Sequence, residues 1–256
     1  MSARRRAAAL LFFAFASFPA AAAGEPAHAS VEAQSLAALR VATLTERIAK
    51  LQAQAAQGVL AERARRALSQ AVRRFDAAVQ ALGRPAAPAE LHENVAILVL
   101  IAKEYRGWAL KSATRDNARG LAERADEVAW VAAKAARLYA PGEPSTAARA
   151  EEAAALAQRA ARLAFLRHWQ PGGSAGDELT RVIARLHGAI DALHAAPATP
   201  ETDAELQVAD NQAAFLFTAL DAAGKDPRAL ETSAKAADNM QESMERLSAV
   251  EAEGAH

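Results

Sequence analysis

The sequence predicts an all-α protein made of two tandem antiparallel four-helix bundles from an internal duplication. Three observations carry that expectation. The stretch Thr43-Leu44-Thr45-Glu46-Arg47-Ile48-Ala49-Lys50 is written again 112 residues later as Ala155-Leu156-Ala157-Gln158-Arg159-Ala160-Ala161-Arg162. Both copies read small, Leu, small, Glu or Gln, Arg, apolar, Ala, basic. Around them apolar residues alternate at spacings of three and four: Val41, Leu44, Ile48 and Leu51, then Ala153, Leu156, Ala160 and Leu163. That is the seam of a helix packed lengthwise on other helices. Finally, apolar residues make up 52% of the chain but aromatics only 5%; much of the rest is alanine and leucine, a helical-bundle composition.

A length of 256 residues allows one large domain or two small ones. Lys+Arg and Asp+Glu both number 30, so no strong field favours nucleic acid. The absence of cysteine excludes disulfides, thiolate zinc sites and covalent c-type haem attachment.

Residues 1–23 read as a secretory signal peptide. Arg4, Arg5 and Arg6 form a basic start, Ala7 to Phe18 an apolar stretch, and Ala21-Ala22-Ala23 a small-residue cleavage site before Gly24. The expected location is periplasmic or secreted, after cleavage near Ala23. An uncleaved anchor is the alternative, although the apolar stretch is shorter than the ~20 residues of a membrane span.

The first helical unit is expected over residues 30–140 and the second over 146–253. Helix 1 runs from Ser30 to Gln57 and turns at Gly58. Helix 2 carries the seam Leu68, Val72, Phe75, Val79 and Leu82, and the Pro-rich segment after Gly83 breaks the chain. Helix 3 carries Val95, Leu98, Ala102, Tyr105 and Ala109; the apolar run Val95 to Ala102 suits a buried helix face. Helix 4 carries Leu121, Ala125, Val128, Ala132 and Ala135. Pro141 to Pro144 separates the units, and Ser145 is placed to cap helix 5. Helix 6 carries Leu179, Ile183, Leu186, Ile190 and Leu193; helix 7 carries Leu206, Ala209, Ala213, Leu216 and Leu220; helix 8 carries Ala237, Met240, Met244, Leu247 and Val250. The seams superimpose with a shift of 111 for helices 2 and 3 and 112 for helices 1 and 4. Four successive helices with almost no change of register argue for duplication.

The segment Ala38 to Lys50 resembles the signature of the PilJ/NarX-like sensor domain, whose pattern runs approximately Ala-Gly-Arg-Gln-Arg-Met-Leu-Ser-Gln-Arg-Ile-Ala-Lys. Ala150 to Arg162, continuing through Leu163 to Trp169, resembles it again. The resemblance implies a non-enzymatic periplasmic ligand-sensing module, of the kind found in type IV pili chemotaxis transducers and nitrate/nitrite sensors. The alternative is a structural or interaction scaffold of the cell envelope with no small ligand. The family's central arginine would stand at position 42, which is Ala42; its second-copy equivalent is Ala154. In nitrate sensors that arginine grips the anion across a dimer interface, so nitrate binding does not carry over. Arg40 matches the family's preceding arginine but is Glu152 in the second copy. Arg47 and Arg159 match in both.

Arg40, Arg47 and Arg159 are therefore the candidate ligand-binding residues, since a guanidinium makes bidentate contacts with oxyanions. The competing reading pairs them with carboxylates of a neighbouring helix, and Asp126 and Asp238, equivalent across the repeat, are placed to do so. The partner classes left open are a small anion or other small molecule, an envelope receptor or helical partner protein, and a second copy in a homodimer. His187 and His194 lie seven apart on one helix face, and read as partly exposed helix residues rather than metal ligands. His168 and Trp169 read as a capping and packing pair, Trp108 and Trp130 as core or interface, and Met240 and Met244 as core. No nucleophile elbow, phosphate loop, zincin motif or paired-carboxylate signature occurs. The expectation is no enzyme activity, no cofactor and no metal site.

Overall fold

The computed structural model describes residues 31–83, 88–170, 173–196, 199–223 and 226–254, and these described residues form eight α-helices. These are α1 (Val31–Ala56), α2 (Ala61–Ala81), α3 (Ala89–Ala109), α4 (Arg115–Tyr139), α5 (Thr146–Trp169), α6 (Ala175–His194), α7 (Pro200–Ala222) and α8 (Pro227–Gly254). The expected all-α bundle class is observed. The predicted signal peptide lies outside the described residues. Among those residues no helix is long and apolar enough to cross a membrane.

Local chemistry fixes the helix ends. Gly58, at φ 76°, ends α1 in a Schellman motif: its N–H donates to Ala55 O at 3.2 Å, and Val59 N–H to Gln54 O at 3.1 Å. Thr114 caps α4 by accepting from Asn117 N–H, and Ser145 caps α5 by accepting from Ala148 N–H. Thr199 and Thr202 form a capping box at the start of α7.

The first four helices close around one apolar core, and the last four around another. In the first, α4 lies along α1, with α2 and α3 on their outer sides; in the second, α8 lies along α5, with α6 and α7 outside. Leu44 and Leu156 occupy these cores at 3% and 4% exposure, and Met240 and Met244 are buried in the second. Tyr105 ties α3 to α1 by donating to Thr45 O at 2.7 Å and packs against Phe75 of α2.

The two cores meet along α1 and α5. Thr43 meets Glu151, Glu46 meets Arg162 and Gln57 meets Phe165, so position rises along both helices together and the two run parallel. Each is therefore buried on nearly every face. Ala49, Ala53, Ala157, Ala160, Ala161 and Ala164 are all wholly buried, and small side chains let helix axes approach closely. This explains why the seam of these two helices is richer in alanine than a two-helix contact demands.

The run Val95 to Ala102 departs from expectation. Val95, Leu98 and Ala102 are buried, but Ile97, Val99 and Leu100 are 51%, 45% and 69% exposed. Eight residues span more than two helical turns and cover every face, whereas α3 is an outer helix with only one face against its neighbours.

Candidate functional site

Charged side chains cross between the two halves at equivalent places. From α1, Lys50 Nζ lies 2.7 Å from Asp238 Oδ1 of α8 and donates to Ala234 O at 3.3 Å. From α5, Arg162 Nη2 lies 2.6 Å from Asp126 Oδ1 of α4, and its Nη1 donates to Ala122 O at 2.7 Å. Every member of the first set becomes its counterpart in the second by the 112-residue shift. The same holds for Arg47 with Asp238 at 3.4 Å and Arg159 with Asp126 at 3.1 Å. A residue pairing with its partner's equivalent in both directions is the geometry of a two-fold contact, here within one chain and with its axis along α1 and α5.

These charges are deep. Lys50 is wholly buried and Arg162 is 1% exposed. Burial pushes the Lys50 ammonium below its usual value, against the pull of Asp238. Burial acts on Arg162 in the same sense, but Glu46 and Asp126 overcome it and hold the guanidinium above its ordinary range. Asp238 feels burial too, yet Lys50 and Arg47 hold its carboxyl below the usual aspartate value.

The near-symmetry breaks at Glu46, whose equivalent is Gln158. Glu46 lies 2.9 Å from Arg162 Nε and 3.8 Å from Arg159 Nη1, but neither oxygen has an aligned hydrogen bond. Burial raises its pKa despite the two arginines. Gln158 instead donates to Ala237 O at 3.1 Å and Gln241 Oε1 at 2.9 Å.

Above Glu46, between α1, α4 and α5, opens a cleft of about 1010 Å³ roofed at one end by the 142–145 turn. Leu36, Leu39 and Ala42 of α1 form one wall, Ala129, Trp130 and Ala133 of α4 a second, and Ala155 and Leu156 of α5 the third. On the opposite flank the same register carries larger polar side chains. Gln241 stands for Ala129, Glu245 for Ala133, Thr43 for Ala155 and Glu151 for Leu39. These fill the space with one another. Thr43 Oγ1 donates to Glu151 Oε2 at 3.0 Å, Arg40 Nε lies 3.1 Å from Glu151 Oε1, Gln241 Nε2 donates to Glu245 Oε1 at 2.7 Å, and Arg74 Nη2 reaches the same atom at 2.6 Å. Burial raises the Glu151 pKa against the pull of Arg40.

The three arginines singled out from sequence all meet carboxylates. Arg40 spans α1 to α5 on the filled flank. Arg47 holds Asp238. Arg159 faces the cleft and binds Glu178, with its Nε at 3.1 Å from Glu178 Oε1, besides Asp126 and Glu46. The expected pairing of Arg47 and Arg159 with Asp238 and Asp126 is present and crosses between the halves. Trp130 is not core: it is 63% exposed at the cleft wall, because α4 presents that position to the gap. Trp108 lies between Lys111 and Arg124, whose charges sit 3.1 and 3.9 Å from its ring. His187 stacks on Phe217 and His194 lies 3.0 Å from Asp210. Trp169 packs partly buried against the second core. Among the described residues no group of three or more His, Cys, Asp or Glu is placed to hold a metal ion.

Lys50, Arg162 and Glu46 are not among the residues that the sequence singles out. The signal was present: the repeated stretch ends on a basic residue in both copies, four residues after the Glu/Gln position, and so one turn along the same face. No protein-family profile, curated protein or solved structure matches the chain.

Proposed function

We propose that this chain is a non-enzymatic, sensor-like helical module of two duplicated four-helix units that binds a small molecule in the cleft between α1, α4 and α5. The observation that carries the reading is the cleft itself: about 1010 Å³ of mostly apolar space on one side of the repeated stretch, a size and character suited to a small organic ligand. The resemblance to PilJ/NarX-like sensor domains supports it, because the two signature segments belong to the paired central helices and Ala42, at the position of that family's ligand arginine, lines the cleft. With Ala42 in that place and Arg40, Arg47 and Arg159 all engaged by carboxylates, nitrate is not the ligand we propose. On this reading the chain is exported, with cleavage near Ala23, and takes part in signal transduction.

Calorimetric titration of the purified protein against nitrate, nitrite and a panel of small apolar and amphipathic compounds tests the reading. Saturable one-to-one binding that disappears in Ala129→Gln/Ala133→Glu, which copies the filled flank, is the expected result. Silence against the whole panel would favour an interaction scaffold. The exposed Ile97, Val99, Leu100 and Leu110 along and just beyond α3 support that second reading, and pull-down from envelope extract would then identify the partner.

A further inference from the structure

Seven carboxylates and three arginines line the cleft, but Glu151 is turned to Arg40 and Thr43 of the filled flank and Glu143 pairs with Arg149 at 3.4 Å, so the surplus of acid lies with the remaining residues. Two of those arginines are already engaged: Arg159 by Glu178 and Asp126, and Arg185 by Glu152 at 3.2 Å. The third, Arg137, stands in the last turn of α4, where the carbonyl end of the helix already favours a positive charge. On the acidic side, Glu32 and Glu127 make no ion pair among the described residues. Asp126 keeps its side chain 44% exposed although two arginines touch it. Beneath them the Glu46 carboxylate is 98% buried and lines the cleft; Arg162, 2.9 Å away, answers its charge, although neither oxygen has an aligned hydrogen bond. The acids without an ion pair among the described residues, Glu32 and Glu127, therefore outnumber Arg137, and low-dielectric walls concentrate that small surplus in favour of a cation.

Trp130 completes the arrangement. It follows Asp126 by four residues and Glu127 by three, which puts the indole and both carboxylates on neighbouring parts of the α4 surface. An exposed indole beside carboxylates is the chemistry that holds an ammonium group, by cation–π attraction together with charge. The walls deeper in are aliphatic: Leu36, Leu39 and Leu156.

We propose that the ligand of this cleft is an amphipathic monocation. Its apolar body lies between Leu36, Leu39 and Leu156, and its ammonium group sits against Trp130, Asp126 and Glu127. This rests on the reading of the cleft as the binding site. One molecule binds per chain, because the equivalent flank is filled by Glu151, Thr43, Gln241 and Glu245.

The test uses three probes of one chain length, below their micellar concentrations: octyltrimethylammonium, 1-octanol and octyl sulfate. Calorimetry is run on the full chain, on Ala129→Gln/Ala133→Glu and on Glu127→Gln/Trp130→Leu. The expected order is octyltrimethylammonium tightest, at one per chain, with octyl sulfate weaker by about tenfold or more, and a preference that shrinks as salt screens the charges. In Ala129→Gln/Ala133→Glu all three probes lose binding. Glu127 and Trp130 are exposed, so Glu127→Gln/Trp130→Leu retains its fold; it keeps octanol binding and loses most of the preference for the cation. Octyl sulfate binding as tightly as the ammonium would overturn the assignment of charge while leaving the cleft as the site. Failure of all three probes to bind the wild type, or binding that survives Ala129→Gln/Ala133→Glu, would overturn both.

Discussion

The two flanks of the α1/α5 pair are built from equivalent helices in equivalent register, yet one is hollow and the other is filled. On the hollow flank α4 offers Ala129 and Ala133 and α5 offers Ala155. On the filled flank α8 offers Gln241 and Glu245 and α1 offers Thr43, and Glu151 and Arg40 join them across the gap. No change of backbone architecture is needed to account for the difference. A few alanines against a few longer polar residues decide whether a helical pair carries a cavity of about 1010 Å³ or a hydrogen-bonded plug. The buried charges beneath follow the same division. Arg162 answers a buried glutamate, whereas Lys50, its equivalent, lies beside a neutral glutamine.

The largest effect should come from breaking that inequality. Arg162→Met leaves Glu46 buried without its nearest cation, and stripping one partner from a buried pair costs about 3 to 5 kcal/mol. Lys50→Met should cost about half as much, because Asp238 keeps Arg47 and Gln158 and its side chain stays 19% exposed. Urea denaturation of both variants checks this; equal losses would mean that the two crossed pairs are energetically alike.

The apolar seams should not distinguish the halves. Leu44→Ala and Leu156→Ala are each expected to lose about 2 to 5 kcal/mol, since both leucines are buried at equivalent positions. A denaturation midpoint unchanged in either variant would show that its seam is misassigned.

A smaller, pH-dependent effect is expected of Glu46→Gln, which writes the residue of the filled flank into the hollow one. Folding raises the Glu46 pKa, chiefly through burial. A carboxyl that binds its proton more tightly when folded contributes less stability as pH rises from the ordinary glutamate value near 4.5 through its folded value. Glu46→Gln removes that dependence, so its stability relative to the wild type should increase from pH 4.5 to pH 8. Denaturation at the two pH values measures the difference. A relative stability that falls over this interval would mean that Arg162 and Arg159 outweigh burial at Glu46.

Most of the fold was legible because helix packing writes itself as period. The seam positions Val41, Leu44, Ile48 and Leu51 are all buried, and Gly58 and Ser145 stand at the helix ends their chemistry marks. The exposed side of the Val95 to Ala102 run was not legible, since an apolar residue carries no mark of which helices lie beyond its own bundle. The site was read only in part. The repeat marks Arg159, which lies at the wall of the cleft, and it also marks Asp126 and Asp238 as partners of the two repeated arginines. The cleft itself was hidden, because it consists of what alanines at 129, 133 and 155 fail to fill, and alanine in a helix usually signals close packing. Lys50 and Arg162 were hidden for a related reason. Parallel packing of α1 on α5 buries the face that a lone bundle would leave in water, and that packing joins residues more than 100 positions apart.

The difference between the flanks can be measured directly with thiols, since the chain has no cysteine to interfere. Ala155→Cys places a thiol on the wall of the cleft, and Thr43→Cys places one at the equivalent position of the filled flank, where Thr43 is 1% exposed. Labelling of the two single variants with a small methanethiosulfonate reagent, under native conditions, reports access from solvent. Rapid modification of Ala155→Cys is expected, with modification of Thr43→Cys only at the rate of local or global unfolding. Equal rates at the two positions would contradict the difference between the flanks.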